Sequence, residues 1–351
     1  MKVMLFLDSS GFGGIESHVL QLAMMLHQRQ VAVEVMFFRH YPRHPLYARL
    51  AQAGICYRFA RGSLRVVRRM LSELAAMDTL HAHGYKASVL ARLFKPLCAA
   101  RVVTTFHAGE TGDRKVRCYE WLNRLTAPLS DNLAVSESIR TRVGRDCKVV
   151  RNFIDTRQVL PCTERTGGQS PLRFAFVGRL SHEKGLDRYL ACARLFPEHQ
   201  WHVFGDGPQA ELLNEAQNCM VHGAVASMET YWSGIDVLVM PSRQEGLPMA
   251  AIEAMAHGTL VIATQVGQLS ELVDHRFLVP EPDWQQIPAL IDVIAGWEPG
   301  LWQDFQRRAQ RRVETQFSAS ALWREYQAIY RYCPAQQSAE TATAAQTTTV
   351  E

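Results

Sequence analysis

The 351-residue chain contains no C-x-x-C pair, no P-loop, no H-E-x-x-H and no G-x-S-x-G. Its eight cysteines (Cys56, Cys98, Cys118, Cys147, Cys162, Cys192, Cys219 and Cys333) stand at no zinc spacing. That excludes a zinc-stapled or disulfide-stapled scaffold, and they read as buried thiols of a reducing compartment. No run approaches 18 apolar residues without a charge, so no segment is expected to span a bilayer. The apolar run in Met1–Asp8 is too short for a signal peptide and stops at an acid. A cytoplasmic protein is expected, with a place on the inner face of the membrane as the alternative.

What is present is enough for two cores. A length of 351 residues with 47% hydrophobic content corresponds to two domains at about 150 residues each. The net charge of +4 hides an asymmetry. Residues 1–165 hold 25 Lys and Arg against 13 Asp and Glu, a balance of +12, whereas the remainder holds 13 against 21, a balance of −8. A basic first half points to an anionic partner, or to two domains that attract across a cleft.

Strand and helix patterns alternate along the chain. Short apolar runs at Val3–Leu7, Val31–Phe38, Asp78–His81, Arg101–Thr105, Leu133–Val135 and Lys148–Val150 read as strands. Helical spacing runs over Glu16–Leu26 and Leu64–Met77. Residues 156–171 read as a linker, after which the pattern restarts. Strands are expected at Leu172–Val177, Trp201–Phe204, Val237–Met240 and Leu260–Ala263, and helices at Leu186–Leu195, Pro208–Gln217 and Pro248–Ala256. Such alternation predicts two α/β domains, each a doubly wound parallel sheet, with ligands at the strand ends that face the cleft. The predicted organisation is a first domain over 1–160, a second over 161–316, a closing helix over 317–333 and a disordered tail over 334–351.

The second half carries the stronger chemistry. Phe176-Val177-Gly178-Arg179-Leu180-Ser181-His182-Glu183-Lys184-Gly185 leaves a strand with two cations, Arg179 and Lys184, spaced to bracket a diphosphate. Pro241 to Gly258 follows the next strand. The free amides at the helix start near Pro248, such as those of Met249 and Ala250, suit an anion. Glu245 and Glu253 flank that start, and acids beside an anion site make sense where hydroxyls must be held as well. A nucleoside diphosphate sugar has both groups. No D-x-D occurs anywhere, which removes the usual metal grip on such a diphosphate. Gly205-Asp206-Gly207-Pro208-Gln209-Ala210 formally fits a dinucleotide turn, but a tight strand–helix turn explains it equally well. In His81-Ala82-His83 the two rings are read as pointing to opposite faces of a strand, which argues against joint chelation.

Glu245 and Glu253 together resemble the E-x7-E signature of retaining GT-B glycosyltransferases of family 4. Gly13-Gly14-Ile15-Glu16, Asn152-Phe153-Ile154-Asp155, Gly178-Arg179-Leu180 through Lys184-Gly185, Gly205-Asp206-Gly207-Pro208 and Phe317–Tyr330 are similar to the family's other elements, in order. The resemblance implies two Rossmann-like domains facing across a cleft. It also implies that Arg179 and Lys184 hold the donor diphosphate, Glu253 the ribose, and Glu245 the sugar near its anomeric carbon. Gly246, Leu247 and Met249 join the donor site. Gly13 and Gly14 let the first-domain backbone come close to the donor or acceptor. His107, in Thr105-Phe106-His107-Ala108, faces the donor sugar; Glu16, His83 and Gly205 complete the candidate set. Gly267-Gln268 departs from the family's usual Gly-Gly, and Asn152-Phe153 from Asn-Gly.

The resemblance implies metal-free transfer of a sugar, with retention, to a glycan or lipid-linked acceptor in cell-surface polysaccharide or lipopolysaccharide synthesis. UDP-sugars are the expected donors, with GDP-mannose next; a base-binding loop near His222–Val225 carries no readable code. No cofactor and no nucleic-acid partner is expected. The rival readings are a sugar-nucleotide epimerase, a dinucleotide-dependent oxidoreductase and a non-catalytic sugar-nucleotide binder. Arg58, Arg61, Arg65, Arg68 and Arg69 accompany the apolar stripe of the helix at Leu64–Met77, which makes it a candidate for contact with an anionic inner leaflet.

Overall fold

A computed structural model describes residues 1–107, 114–144, 146–159 and 171–332. The first half alternates β1 (Lys2–Leu7), α1 (Gly14–Gln28), β2 (Ala32–Phe37), α2 (Pro45–Gln52), β3 (Cys56–Phe59), α3 (Leu64–Ser72), β4 (Thr79–His83), α4 (Tyr85–Leu93), β5 (Arg101–Phe106), α5 (Arg114–Leu125), β6 (Asp131–Ala134), α6 (Glu137–Val143) and β7 (Cys147–Val149). The second half alternates β8 (Arg173–Val177), α7 (Leu186–Leu195), β9 (Gln200–Phe204), β10 (Cys219–Gly223), α8 (Glu229–Trp232), β11 (Val237–Met240), α9 (Met249–Ala256), β12 (Leu260–Thr264), α10 (Leu269–Leu272), β13 (Leu278–Val279), α11 (Ile287–Ala295), α12 (Pro299–Gln316) and α13 (Ala319–Tyr330).

Both sheets are parallel throughout. Their orders are β3-β2-β1-β4-β5-β6-β7 and β10-β9-β8-β11-β12-β13, so each reverses direction beside its first strand. Ligand crevices form where the order reverses, outside the carboxyl ends of the strands. In the first sheet that place lies between β1 and β4, and in the second between β8 and β11.

Side chains alternate along β1 to serve two layers. Val3, Leu5 and Leu7 pack with α1, α2 and α13, while Met4 and Phe6 pack with α3 and α4. The last helix, α13, thus belongs to the first core: Leu322, Tyr326, Ile329 and Tyr330 are buried there. The chain returns along Ile154, which bridges to Ser318. No described helix is long and apolar enough to cross a membrane. The described cysteines Cys56, Cys98, Cys118, Cys147, Cys192 and Cys219 are free thiols.

Three expectations need correction. The helix read over Leu64–Met77 ends at Ser72. The Asp78 carboxylate accepts hydrogen bonds from the Ala75 and Lys2 amides at 2.9 and 2.7 Å, drawing the chain out of helix to start β4. The strand itself runs to His83 rather than His81. The stretch Pro208–Gln217 is not α-helical; only a 3-10 turn forms, over Ala210–Glu215. Most of the expected linker and the tail from 334 lie outside the described residues.

Candidate functional site at the facing strand ends

The loops at the two reversal points meet. After β1 the chain turns into α1 at Gly13-Gly14. The Glu16 carboxylate accepts a 2.7 Å hydrogen bond from the Gly13 amide, so Glu16 is spent on closing the start of α1. A Cβ at Gly14 would meet nothing within 4 Å, which leaves that face of the loop open. One turn along α1, Ser17 Oγ donates to Glu253 Oε1 at 2.8 Å across the two halves. Asn152 Nδ2 donates to the Leu247 carbonyl at 2.5 Å, a second polar link between them. A Cβ at Gly246 would come within 3.4 Å of the His107 carbonyl oxygen. His107, Gly246, Leu247, Glu253 and the Gly13-Gly14 loop are therefore gathered in one place.

On the second-domain side, Glu245 and Lys184 are partners. Lys184 Nζ donates to both Glu245 oxygens at 2.7 Å, and Ser242 Oγ donates to Oε1 at 2.8 Å. The Glu245 side chain is only 4% exposed, against 31% for Lys184. The cation faces solvent while the carboxylate sits beneath it. Arg179 lies exposed on the same strand-end loop. Arg243, the other nearby cation, is committed to a two-pronged pair with Asp187 at 2.8 and 2.7 Å.

Helix α9 begins at Met249 with Pro248 as its cap in extended conformation, so the first amides of α9 have no helical acceptor. Those amides lie one turn before Glu253 on the same helix and supply partial positive charge there. Burial raises the pKa of the Glu253 carboxyl, the Ser17 bond only partly opposing it. A half-buried acid at the facing strand ends, with Oε1 accepting from Ser17, suits a hydroxyl donor.

Two glycines act through close backbone approach. Gly205 has φ +142, and a Cβ there would lie 1.8 Å from the Gly178 carbonyl oxygen, so it lets the β8 and β9 turns touch. Packing alone thus accounts for Gly205. Gly267 has φ +59, and its Cβ would strike the Glu245 and Gly246 carbonyl oxygens at 2.5 and 2.3 Å. The next residue, Gln268, has φ −103 and donates its amide to the Gly246 carbonyl at 2.9 Å. The loop needs glycine only at the first of the two positions.

The histidines overturn one expectation. Residues two apart on a strand share a face, and the His81 and His83 ring centroids lie 4.2 Å apart. His81 is saturated, bonded to Tyr330 Oη and Thr105 Oγ1 at 2.7 Å each. His83 Nδ1 lies 3.0 Å from His107 Nε2. His18 of α1, which sequence reasoning passed over, packs edge-on against His107 at 4.8 Å between centroids. Burial lowers all four pKa values, that of His18 to about 4, so the rings are neutral at physiological pH. Ser17, His18 and Ser242 lay beside recognised motifs, but only the fold shows whom they touch.

With this geometry in place, comparison with known proteins is decisive. Residues 12–158 match the family described as Glycosyltransferase Family 4, and residues 171–295 match that described as Glycosyl transferases group 1. The chain belongs to the GT-B glycosyltransferases. It is 26% identical to the phosphatidyl-myo-inositol mannosyltransferase of Mycobacterium tuberculosis, over 90% of this glycosyltransferase and 93% of the relative. It is 22% identical to an uncharacterized 41.2 kDa protein in the cps region of Klebsiella pneumoniae, over 72% and 78% of the two chains. Anabaena HepE in complex with UDP and glucose superposes with a TM-score of 0.77 at 19% identity, over 94% and 99% of the chains. S. aureus TarM superposes at 0.78 with 10% identity, over the same shares. At these identities the two structures establish the shared fold.

Proposed function

We propose that this glycosyltransferase moves a sugar, with retention, from a nucleoside diphosphate sugar to a glycan or lipid-linked acceptor in cell-surface polysaccharide synthesis. The observation that carries the reading is the Lys184–Glu245 pair, whose cation is on the strand-end loop that also carries Arg179 and whose acid lies in the loop leading to the open start of α9. The cations and amides meet the departing diphosphate, on which charge develops, and no metal is invoked for it. Glu253 accepts from the ribose hydroxyls. Glu245 orients the donor sugar near its anomeric carbon, and His107 faces the sugar from the first domain. No side chain here is placed as a covalent nucleophile, so the leaving phosphate takes the acceptor proton on the same face. A UDP-sugar is the favoured donor, in line with the UDP and UDP-glucose named for HepE. GDP-mannose is the second.

The direct test is release of nucleoside diphosphate when the protein is incubated with donor and a lipid-linked acceptor fraction. Release should fall 30-fold or more in Glu245→Gln, the loss of about 2–4 kcal/mol of transition-state stabilisation. Near-normal turnover in that variant would remove Glu245 from the site.

One face of the first domain supports an acceptor held at an anionic lipid surface. Leu64 and Val66 of α3 are 50% and 37% exposed, among Arg65, Arg68 and Arg69, which are exposed too. The adjoining α4 and α5 expose Leu93, Trp121 and Leu125. Arg58 drops out of the basic set, since it is paired with Glu34 and Glu73. Liposomes with anionic lipid should float the protein at low salt and release it as salt rises. Binding that is absent at low salt, or indifferent to salt, argues against this surface. The phosphatidyl-myo-inositol acceptor named for the mycobacterial relative is of the same chemical kind.

A further inference from the structure

The four-histidine cluster contains a feature that sugar transfer does not require. His18, His83 and His107 each present a ring nitrogen, and these three nitrogens lie within 4.8 Å of one another. They come from three different elements: the first turns of α1, the last residue of β4 and the residue after β5. His83 Nδ1 and His107 Nε2 are already 3.0 Å apart. Two imidazoles on one tetrahedral zinc ion, each about 2.0–2.1 Å from it, stand about 3.4 Å apart. The trio therefore needs only small ring movements to close on an ion. His18 Nδ1 and His83 Nε2 are buried without a hydrogen-bond partner, so the cluster is not satisfied by the protein alone.

We propose that His18, His83 and His107 form a binding site for a divalent transition-metal ion of the imidazole-preferring kind, Zn²⁺ foremost. Three neutral nitrogen donors with no carboxylate among them disfavour Mg²⁺ and Ca²⁺, which take oxygen ligands. His81 shares the face but is held by Tyr330 and Thr105, so it walls the site without entering it. The proton that now lies between His83 and His107 moves to another nitrogen of the same ring on binding, so both lone pairs become available with no net proton release. An ion at this site is separate from the diphosphate grip at Arg179 and Lys184. The site stands whether or not His107 touches a donor sugar.

Equilibrium dialysis of the full chain against ZnCl₂ in metal-free buffer, followed by elemental analysis, tests this. About one equivalent is expected per chain, falling at least tenfold in affinity in His83→Gln and in His107→Asn. Circular dichroism of each variant separates loss of the site from loss of the fold, and His107, at the edge of the cluster, is the milder change. His222→Ala, in the separate exposed pair with His202, should bind as wild type does. Substitution with Co²⁺ should give tetrahedral d–d bands without thiolate-to-cobalt charge transfer. Thiolate bands, loss of binding in His222→Ala, or folded His83 and His107 variants that bind as tightly as wild type would overturn the assignment.

Discussion

Lys184→Ala should lose stability and turnover together, and a second substitution should separate the two. Removing the ammonium leaves the nearly buried Glu245 carboxylate with its hydrogen bond from Ser242 Oγ. A buried charge stripped of its main partner costs about 1–3 kcal/mol. The same change removes a cation from the developing diphosphate charge, so turnover should fall by the 30- to 1000-fold that corresponds to about 2–4 kcal/mol. In Lys184→Ala with Glu245→Gln, the neutral amide no longer needs the ammonium. Stability should recover while turnover stays low. Urea denaturation gives the first half of the cycle and release of nucleoside diphosphate the second. Recovery of turnover along with stability would show that the pair serves folding alone, and unchanged stability in Lys184→Ala would show that it serves catalysis alone.

Glu253→Gln should make the protein more stable and a poorer enzyme. Burial raises the Glu253 carboxyl above its ordinary range, so the folded state holds its proton more tightly than the unfolded chain does. That favourable contribution is complete below the ordinary carboxylate pKa and is lost as pH rises through the folded value. At neutral pH the wild type carries an ionised group it would rather keep neutral. A glutamine keeps an acceptor for Ser17 and removes the charge, so the variant should gain about 1 kcal/mol at pH 7.5. The gain should shrink toward pH 4. The donor KM should rise at least tenfold, because the carboxylate bonds to the ribose hydroxyls are lost. A variant that is no more stable at neutral pH, or that binds donor normally, would contradict the assignment of Glu253 as an acid held in the cleft for a ligand.

Much of the molecule was legible in the order of its residues. Alternating apolar runs predicted two parallel sheets because strands covered on both faces must be apolar throughout, and the two reversal points then located the ligand cleft. Short edge strands such as Cys56–Phe59 and Cys219–Gly223 escaped notice, since half-exposed edges lack that apolar signal. Contacts between distant residues were not readable. Nothing near Lys184 shows that it will sit on Glu245, 61 residues away, or that Ser17 will reach Glu253 across 236. His81 and His83 were misread through the strand period itself, and the third ring of the cluster arrives from α1. The departure at Gly267-Gln268 looked like a weakness, yet only Gly267 meets backbone that a Cβ would strike.

The basic first half also changes meaning in three dimensions. The cations placed at the diphosphate belong to the acidic second half, so donor binding does not explain the excess. Part of it is internal: Arg92 is buried, burial lowers its pKa to about 10, and it bonds to Asn123, Thr104 and Asn132. Arg65, Arg68 and Arg69 remain exposed on α3, the face proposed above for contact with anionic lipid.

The most direct measurement is thermal stabilisation of the wild type and Arg179→Ala by UDP-sugars, GDP-mannose and nicotinamide dinucleotides, with a chelator present. A nucleoside diphosphate sugar at 100 times its dissociation constant should add about 2.7 kcal/mol, and Arg179→Ala should lose most of that gain. Stabilisation by nicotinamide dinucleotides instead, or by sugar nucleotides equally in both proteins, would contradict a donor diphosphate held at this cleft.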